Sequence, residues 1–164
     1  MSAVVIGIGN EFRRDDGIGP AVAAAVSRLD LPGVTVHSSV GDPGDLLDAW
    51  DGVDVAVIVD AVAGPDAHPG RLRRWTPGFE RSPASVSSHA LEPFSTHALG
   101  VALGRVPQDL VVLTVDVADV GHGVGLSPAV LAAVRTAATA VVEEIERRGP
   151  TPRDRGPKTP QPAG

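Results

Sequence analysis

The sequence lacks cysteine altogether and is poor in aromatic residues. Its 164 residues include no Cys and no Tyr, and aromatic side chains make up only 3%. Without thiols there can be no disulfide, thiolate nucleophile, zinc–thiolate site or iron–sulfur cluster. Any metal site must therefore be built from His, Asp and Glu. The scarcity of rings also disfavours a stacking surface for single-stranded nucleic acid, which needs several exposed aromatics.

Basic charge and long apolar runs are scarce as well. Lys and Arg number 14 against 20 Asp and Glu, so the formal net charge is −6. An acidic protein is a poor partner for nucleic acid, whose phosphates require a basic face. No stretch of 18 apolar residues could span a membrane, and the first residues lack the basic start of a signal peptide. We therefore expect a cytoplasmic protein with no membrane segment.

The length and the apolar content indicate one folded domain. A chain of this size can bury a core without staples, and a hydrophobic fraction of 43% excludes wholesale disorder. From Gly149 onward the sequence is rich in Pro, Gly and charge, which predicts a disordered tail. We therefore expect a domain over residues 1–148 and a tail over residues 149–164.

Strand and helix patterns alternate along the chain. Apolar runs predict strands at 3–8, 53–59 and 110–117, and further strands are expected at 34–40 and at 72–75, within a segment rich in Gly, Pro, Arg and Ser. Helical patterns cover 18–29, 46–50, 91–103 and 128–148. The strands are apolar on both faces, which favours a single-domain three-layer α/β sandwich: a twisted, mainly parallel sheet with helices on both faces. Such sheets carry function at the carboxyl ends of their strands. The residues that follow positions 8, 40, 59 and 117 are therefore the candidates for a site.

The loop after the first strand begins like a dinucleotide-binding fingerprint but departs from it. Gly7 and Gly9 match the first two glycines, whereas Phe12 stands where the third glycine allows close helix packing. The second strand ends in His37-Ser38-Ser39, with no carboxylate for a ribose. The sequence therefore disfavours a nicotinamide or flavin site, and no cofactor-binding residues are assigned.

Carboxylates and imidazoles occur where the predicted strands lead into loops. Asp15 and Asp16 precede the first helix, where either could also serve as a helix cap. Asp60 directly follows a buried apolar strand, a costly position unless the carboxylate is hydrogen-bonded, paired or bound to a cation. His89 and His97 flank the start of a later helix. Two carboxylates and one imidazole suit a nickel or zinc site with open coordination positions.

Several blocks of the sequence resemble the hydrogenase maturation proteases, the endopeptidases that process the large subunit of nickel–iron hydrogenases. The blocks occur in family order over nearly all of residues 3–147. They are Gly7-x-Gly9-Asn10-x-x-x-x-Asp15-Asp16-Gly17-x-Gly19-Pro20, Gly41-Asp-Pro-Gly44-Asp-Leu-Leu47, Val57-Ile-Val-Asp60-Ala61, Ser-His89-Ala-Leu and Gly123-Val-Gly-Leu-Ser-Pro128.

The resemblance implies a metal-binding trio made of Asp16, Asp60 and a histidine. In the family this histidine opens a helix of about four turns that leads through a proline to the next strand. From His89 there are 16 residues to Arg105, which leaves room for such a helix, whereas His97 is only seven residues from Gly104. We therefore assign His89 as the ligand and keep His97 as the alternative.

The resemblance also implies the activity. The expected substrate is a nickel–iron hydrogenase large-subunit precursor, which loses its C-terminal extension after nickel insertion. The nickel would arrive with the precursor as the recognition element. Peptide hydrolysis could then use a metal-activated water, or Asp16 or Asp60 as general base. Asn10 and Gly41 are the candidates for substrate binding.

Two features leave room for other interpretations. Asp42-Pro43 replaces the centre of the family's usual Gly-Thr-x-Gly block, and His68, in the loop after Asp60, is a possible extra ligand. The alternative function is a non-proteolytic metal- or partner-binding assembly factor on the same fold.

Overall fold

One five-stranded sheet forms the centre of the protein. The computed structural model describes residues 1–78 and 92–148. The strands are β1 Ala3–Ile8, β2 Val34–Ser39, β3 Val55–Val62, β4 Leu72–Trp75 and β5 Asp109–Asp116, in the order β2-β1-β3-β5-β4. Four of them run parallel, and β4 pairs antiparallel with β5 at the edge. The prediction of a mainly parallel sheet is confirmed.

Helices cover both faces of this sheet. They are α1 Ile18–Ser27, α2 Pro43–Trp50, α3 Glu92–Leu103 and α4 Pro128–Glu146, with a short 3₁₀ helix at Arg14–Gly17. Alternate strand residues point to opposite faces. Val5 and Val57 therefore share one core with α1 and α4, and Ile6 and Ile58 share the other with α2 and α3. The three-layer architecture is thus confirmed. None of the described helices is long and apolar enough to cross a membrane.

Strand β3 is longer than the sequence predicts. Asp60 was expected just after the strand, but β3 continues to Val62 because β5 extends beside it, with Asp60 opposite Thr114. Strand β1 accompanies β3 only as far as the pair Gly7 and Val59. Asp60 therefore lies inside β3, one residue beyond the last pair that β3 forms with β1.

Smaller differences concern the element ends. The 3₁₀ helix at Arg14–Gly17 was not predicted, and α1 and α4 each end two residues before their predicted limits. The predicted disordered tail at 149–164 and the predicted ligand His89 lie outside the described residues.

Helix α1 begins in direct contact with the ends of β1 and β3. A Cβ added at Gly19 would lie 2.1 Å from the carbonyl oxygen of Ile8 and 2.7 Å from that of Val59. A Cβ at Gly7 would likewise lie 2.2 Å from the carbonyl oxygen of Gly19. The absence of a side chain at Gly7 and Gly19 therefore allows the backbone of α1 to pack directly against the ends of β1 and β3.

This close approach predicts that Gly19→Ala destabilises the fold. Overpacking against backbone atoms that cannot move aside typically costs about 1–3 kcal/mol. We expect the free energy of unfolding in urea to fall by at least that amount. Gly64→Ala is the control, since a Cβ there meets nothing within 4 Å, and its stability should change by less than about 0.5 kcal/mol. Equal stabilities for the two variants would contradict the packing account.

Candidate active site

A cleft of about 520 Å³ lies at the carboxyl ends of the parallel strands. Residues that follow or end all four of these strands line it, as the sequence predicts. Ile8 and Asn10 come from the end of β1, Val40 from β2, Asp60 from β3 and Val117 from β5. The crevice at this edge is where open α/β sheets hold their ligands.

Asp16 lies in the 3₁₀ helix at the end of the first loop and lines the cleft. Its Oδ2 accepts a hydrogen bond of 2.9 Å from the backbone N–H of Asn10, which closes the loop. Asn10 in turn accepts a bond of 3.0 Å at its Oδ1 from the N–H of Phe12. One oxygen of Asp16 is therefore fixed by the backbone. The other accepts no hydrogen bond from any described residue.

Asp60 is the buried carboxylate of the cleft, with only 8% of its surface exposed. Its Oδ1 accepts a hydrogen bond of 2.8 Å from the N–H of Ala61, and its Oδ2 accepts none from the described residues. Burial first, and then the charges of Asp16 and Glu92, raise the pKa of Asp60 to about 7, against the opposing effect of the Ala61 bond. Ionisation of Asp60 is therefore unfavourable in this environment, and a bound cation would stabilise the ionised form.

Two other buried carboxylates differ from Asp60 because each has cationic partners. Asp116 pairs with Arg71 at 3.1 Å and with Arg73 at 3.0 Å, and it also accepts a bond from the backbone of His68. Burial alone would raise the pKa of Asp116, but these bonds and charges hold it below its ordinary value. Glu144 is satisfied in the same way by arginines, chiefly Arg74 and Arg148.

Asp15, the neighbour of Asp16, has a structural role. It is fully buried and accepts hydrogen bonds from the backbone N–H groups of Ala118, Asp119 and Ser127 and from the Ser127 hydroxyl, at 2.6–3.1 Å. Burial opposes ionisation, but these bonds lower the pKa of Asp15 below its usual value. Ser127 does occupy the predicted N-cap position of α4, yet its hydroxyl binds Asp15 rather than the helix.

The histidines within the described ranges do not line the cleft. His97 packs its ring against Trp50, with centroids 6.2 Å apart and an angle of 70° between the planes. His37 contacts Asp45 at 2.9 Å, while His68 and His122 are exposed. In residues 1–78 and 92–148, no three His, Asp or Glu side chains form a group that could hold a metal ion. The alternative ligand His97 therefore lies elsewhere, and the assignment to His89 stays a prediction.

The two predicted substrate-binding residues differ in position. Asn10 lines the cleft, whereas Gly41 does not; its neighbour Val40 does. The unusual Asp42-Pro43 pair begins α2: the Oδ1 of Asp42 accepts a bond of 3.2 Å from the N–H of Asp45, and Pro43 occupies the first helical turn. This departure from the family block therefore forms a helix cap.

Two charged side chains of the cleft were not assigned from the sequence. Glu92, the first residue of α3, and Arg13, in the first loop, both line it. The sequence held one signal for Glu92: it lies three residues after the proposed ligand His89, so the start of α3 could be expected at the same edge of the sheet. Nothing in the sequence distinguished Arg13 from its neighbour Arg14.

A mainly parallel α/β sheet with an acidic cleft at its carboxyl edge defines a class of proteins that bind or react at that edge. A family model described as "HycI: Hydrogenase maturation protease" matches residues 34–144. The chain belongs to the hydrogenase maturation protease family.

Solved structures show the same fold. The hydrogenase maturating endopeptidase HybD from E. coli matches with a TM-score of 0.76 and 21% identity, over 91% of this chain and 94% of that one. The [NiFe] hydrogenase maturation protease HybD from Thermococcus kodakarensis matches with a TM-score of 0.70 and 22% identity, over 88% and 99%. The protease HycI from Thermococcus kodakarensis KOD1 matches with a TM-score of 0.66 and 22% identity, over 88% and 92%. No curated protein sequence matches the chain.

The raised pKa of Asp60 predicts that Asp60→Asn stabilises the protein at alkaline pH. The ordinary value is 3.8 and the folded value is about 7, so between these pH values the native state binds more protons than the unfolded state. The wild type must therefore lose stability relative to Asp60→Asn as the pH rises from 4 to 8. At about 1.4 kcal/mol per pKa unit, the difference reaches up to ~4 kcal/mol. Urea unfolding at several pH values measures it.

Asp116→Asn is the matched control, because it removes a buried carboxylate that has arginine partners. Breaking such a pair from one side costs roughly 3–5 kcal/mol, so this variant should be less stable than the wild type at pH 8. Two results would contradict the prediction. Asp60→Asn could be less stable than the wild type at pH 8, or its free energy of unfolding could differ from the wild type by the same amount at pH 4 and pH 8. Either would show that ionisation of Asp60 does not destabilise the fold.

Proposed function

We propose that the protein is an endopeptidase that removes the C-terminal extension of a nickel–iron hydrogenase large-subunit precursor, with the precursor's nickel as the recognition element. Membership of the maturation protease family supports the peptidase class and the type of substrate. The observation that carries the site is Asp60: it is buried in the cleft with no cationic partner among residues 1–78 and 92–148, and its pKa is raised in part by Asp16.

The two aspartates fit a divalent cation that arrives with the substrate. Each has one oxygen held by a backbone N–H, of Asn10 or of Ala61, and one that accepts no bond from a described residue. The held oxygen fixes the orientation of each carboxylate. The charges of Asp16 and Glu92 disfavour an ionised Asp60, and a cation between the carboxylates would remove that repulsion. Carboxylate and imidazole ligands together suit nickel.

His89 is the proposed third ligand. Of the five histidines in the chain, the four within the described ranges do not line the cleft. His89 is three residues before Glu92, which does line it. Three residues of chain span at most about 11 Å, and this short separation from Glu92 supports the choice of His89.

Hydrolysis needs a base for the attacking water and leaves a carboxylate and an amine. In this proposal the oxygen of water bonds to the scissile carbonyl carbon while a carboxylate accepts one water proton. The C–N bond then breaks, and the leaving nitrogen takes a proton. Asp16 or Asp60 is the proposed base, because both line the cleft and each keeps one oxygen that accepts no hydrogen bond from a described residue. The nickel would hold the precursor in place.

The test is incubation of the purified protein with its nickel-loaded large-subunit precursor, read by intact mass. We expect the precursor to lose a C-terminal peptide and the nickel-free precursor to stay intact. Asp16→Asn, Asp60→Asn and His89→Ala should each slow cleavage by about 100-fold or more. His97→Ala and His68→Ala are the controls and should cut at nearly the wild-type rate.

Three outcomes would contradict the proposal in different ways. A wild-type protein that binds the precursor without cutting it would point to a non-proteolytic assembly factor. Cleavage by His89→Ala but not by His97→Ala would show that the histidine assignment is wrong. Equal cleavage of the nickel-free and nickel-loaded precursors would remove nickel as the recognition element.

A further inference from the structure

The charged side chains that line the cleft are strongly unbalanced. Among the described residues, three are acidic (Asp16, Asp60 and Glu92) and one, Arg13, is basic. Peptide hydrolysis passes through an oxyanion and ends with a new carboxylate, and three carboxylates oppose both of these charges. Arg13 is the described side chain of the cleft that has the opposite effect.

The backbone of Arg13 is fixed at the edge of the cleft. Its N–H donates to the carbonyl of Asn10 at 3.0 Å, and its carbonyl accepts from the N–H of Asp16 at 3.1 Å. It also forms an isolated β-bridge with Gly123, whose N–H and carbonyl bind the residues on either side of Arg13. The side chain of Arg13 is therefore displayed from a well-anchored position.

The guanidinium of Arg13 makes no hydrogen bond or ion pair with any residue in the described ranges. The guanidinium stays unpaired among the described residues although three carboxylates line the same cleft. The next residue behaves differently: Arg14 donates to Asp119 at 3.1 Å and to the carbonyl of His122 at 3.1 Å. Arg14 thus joins the first loop to the loop that holds Asp119 and His122, while the N–H groups of the Arg13 side chain remain available to a ligand.

We propose that Arg13 binds the carbonyl oxygen of the scissile peptide bond and stabilises the negative charge that develops there. This inference rests on the proposed endopeptidase function. As the water oxygen bonds to the carbonyl carbon, the carbonyl π pair moves onto the oxygen, and the water proton goes to the carboxylate base. The oxyanion then returns its pair as the C–N bond breaks. A guanidinium has several fixed N–H donors and always carries its charge, which suits this role.

The experiment is steady-state cleavage of the nickel-loaded precursor by Arg13 variants. Arg13→Ala and Arg13→Gln should lower kcat by about 100- to 1000-fold, the usual cost of losing one oxyanion donor, with KM within about threefold of the wild type. Arg13→Lys should recover part of kcat because it keeps the charge. Arg28→Ala removes an exposed arginine at the end of α1, away from the cleft, and should leave both constants unchanged. All variants should melt at the wild-type temperature.

An unchanged kcat in Arg13→Ala would overturn the inference while the wild type still cuts. So would a rise in KM alone, which would assign Arg13 to docking of the precursor. Failure of the proposed function gives a different result: the wild-type protein then removes no peptide, and the role of Arg13 in cleavage is overturned with it.

Discussion

The site depends on one constraint, a carboxylate that is buried at the end of a parallel sheet and has no cationic partner in the part of the chain that the structure describes. Asp60 keeps 8% of its surface exposed and accepts a single backbone hydrogen bond among the described residues. It faces the cleft because β1 pairs with β3 only as far as Val59, while β5 continues and keeps β3 extended. The fold thus holds in place a group that favours a cation or a proton. The proposed recognition of a metal-bearing substrate follows from this arrangement.

The remaining buried acids stabilise the frame around that group. Asp15 joins the first loop to the segment between β5 and α4 through four hydrogen bonds. Asp116 pairs with Arg71, in the loop that follows β3, and with Arg73 in β4, and Glu144 links α4 to β4 through Arg74. Buried carboxylates with several donors, such as Asp15 and Asp116, therefore stabilise the fold, whereas Asp60, with one described donor, remains available to a ligand. Rigid supports on both sides of the cleft keep Asp16 and Asp60 in fixed positions, as a preorganised site requires.

Much of this organisation could be predicted from local sequence. The strands Ala3–Ile8 and Leu72–Trp75 were predicted with their observed bounds. For Ala3–Ile8 the signal is local, an apolar run beside a Gly-x-Gly. The division of labour between Asp15 and Asp16 could not be, since it depends on backbone groups more than 100 residues away. The same holds for Asp60, which resembled a strand end until the register with β5 was known. The contact of His97 with Trp50 and the place of Glu92 and Arg13 in the cleft likewise depend on tertiary packing.

The most direct test of this account is an NMR titration of the side-chain carboxyl carbon of Asp60, in the wild type and in Asp16→Asn, without added metal. The account predicts a midpoint near pH 7 in the wild type. It also predicts a lower midpoint in Asp16→Asn, because one repelling charge is removed while burial remains. A wild-type midpoint near 4, the ordinary range for an aspartate, would show that Asp60 is not held in the unfavourable environment on which the proposed site depends.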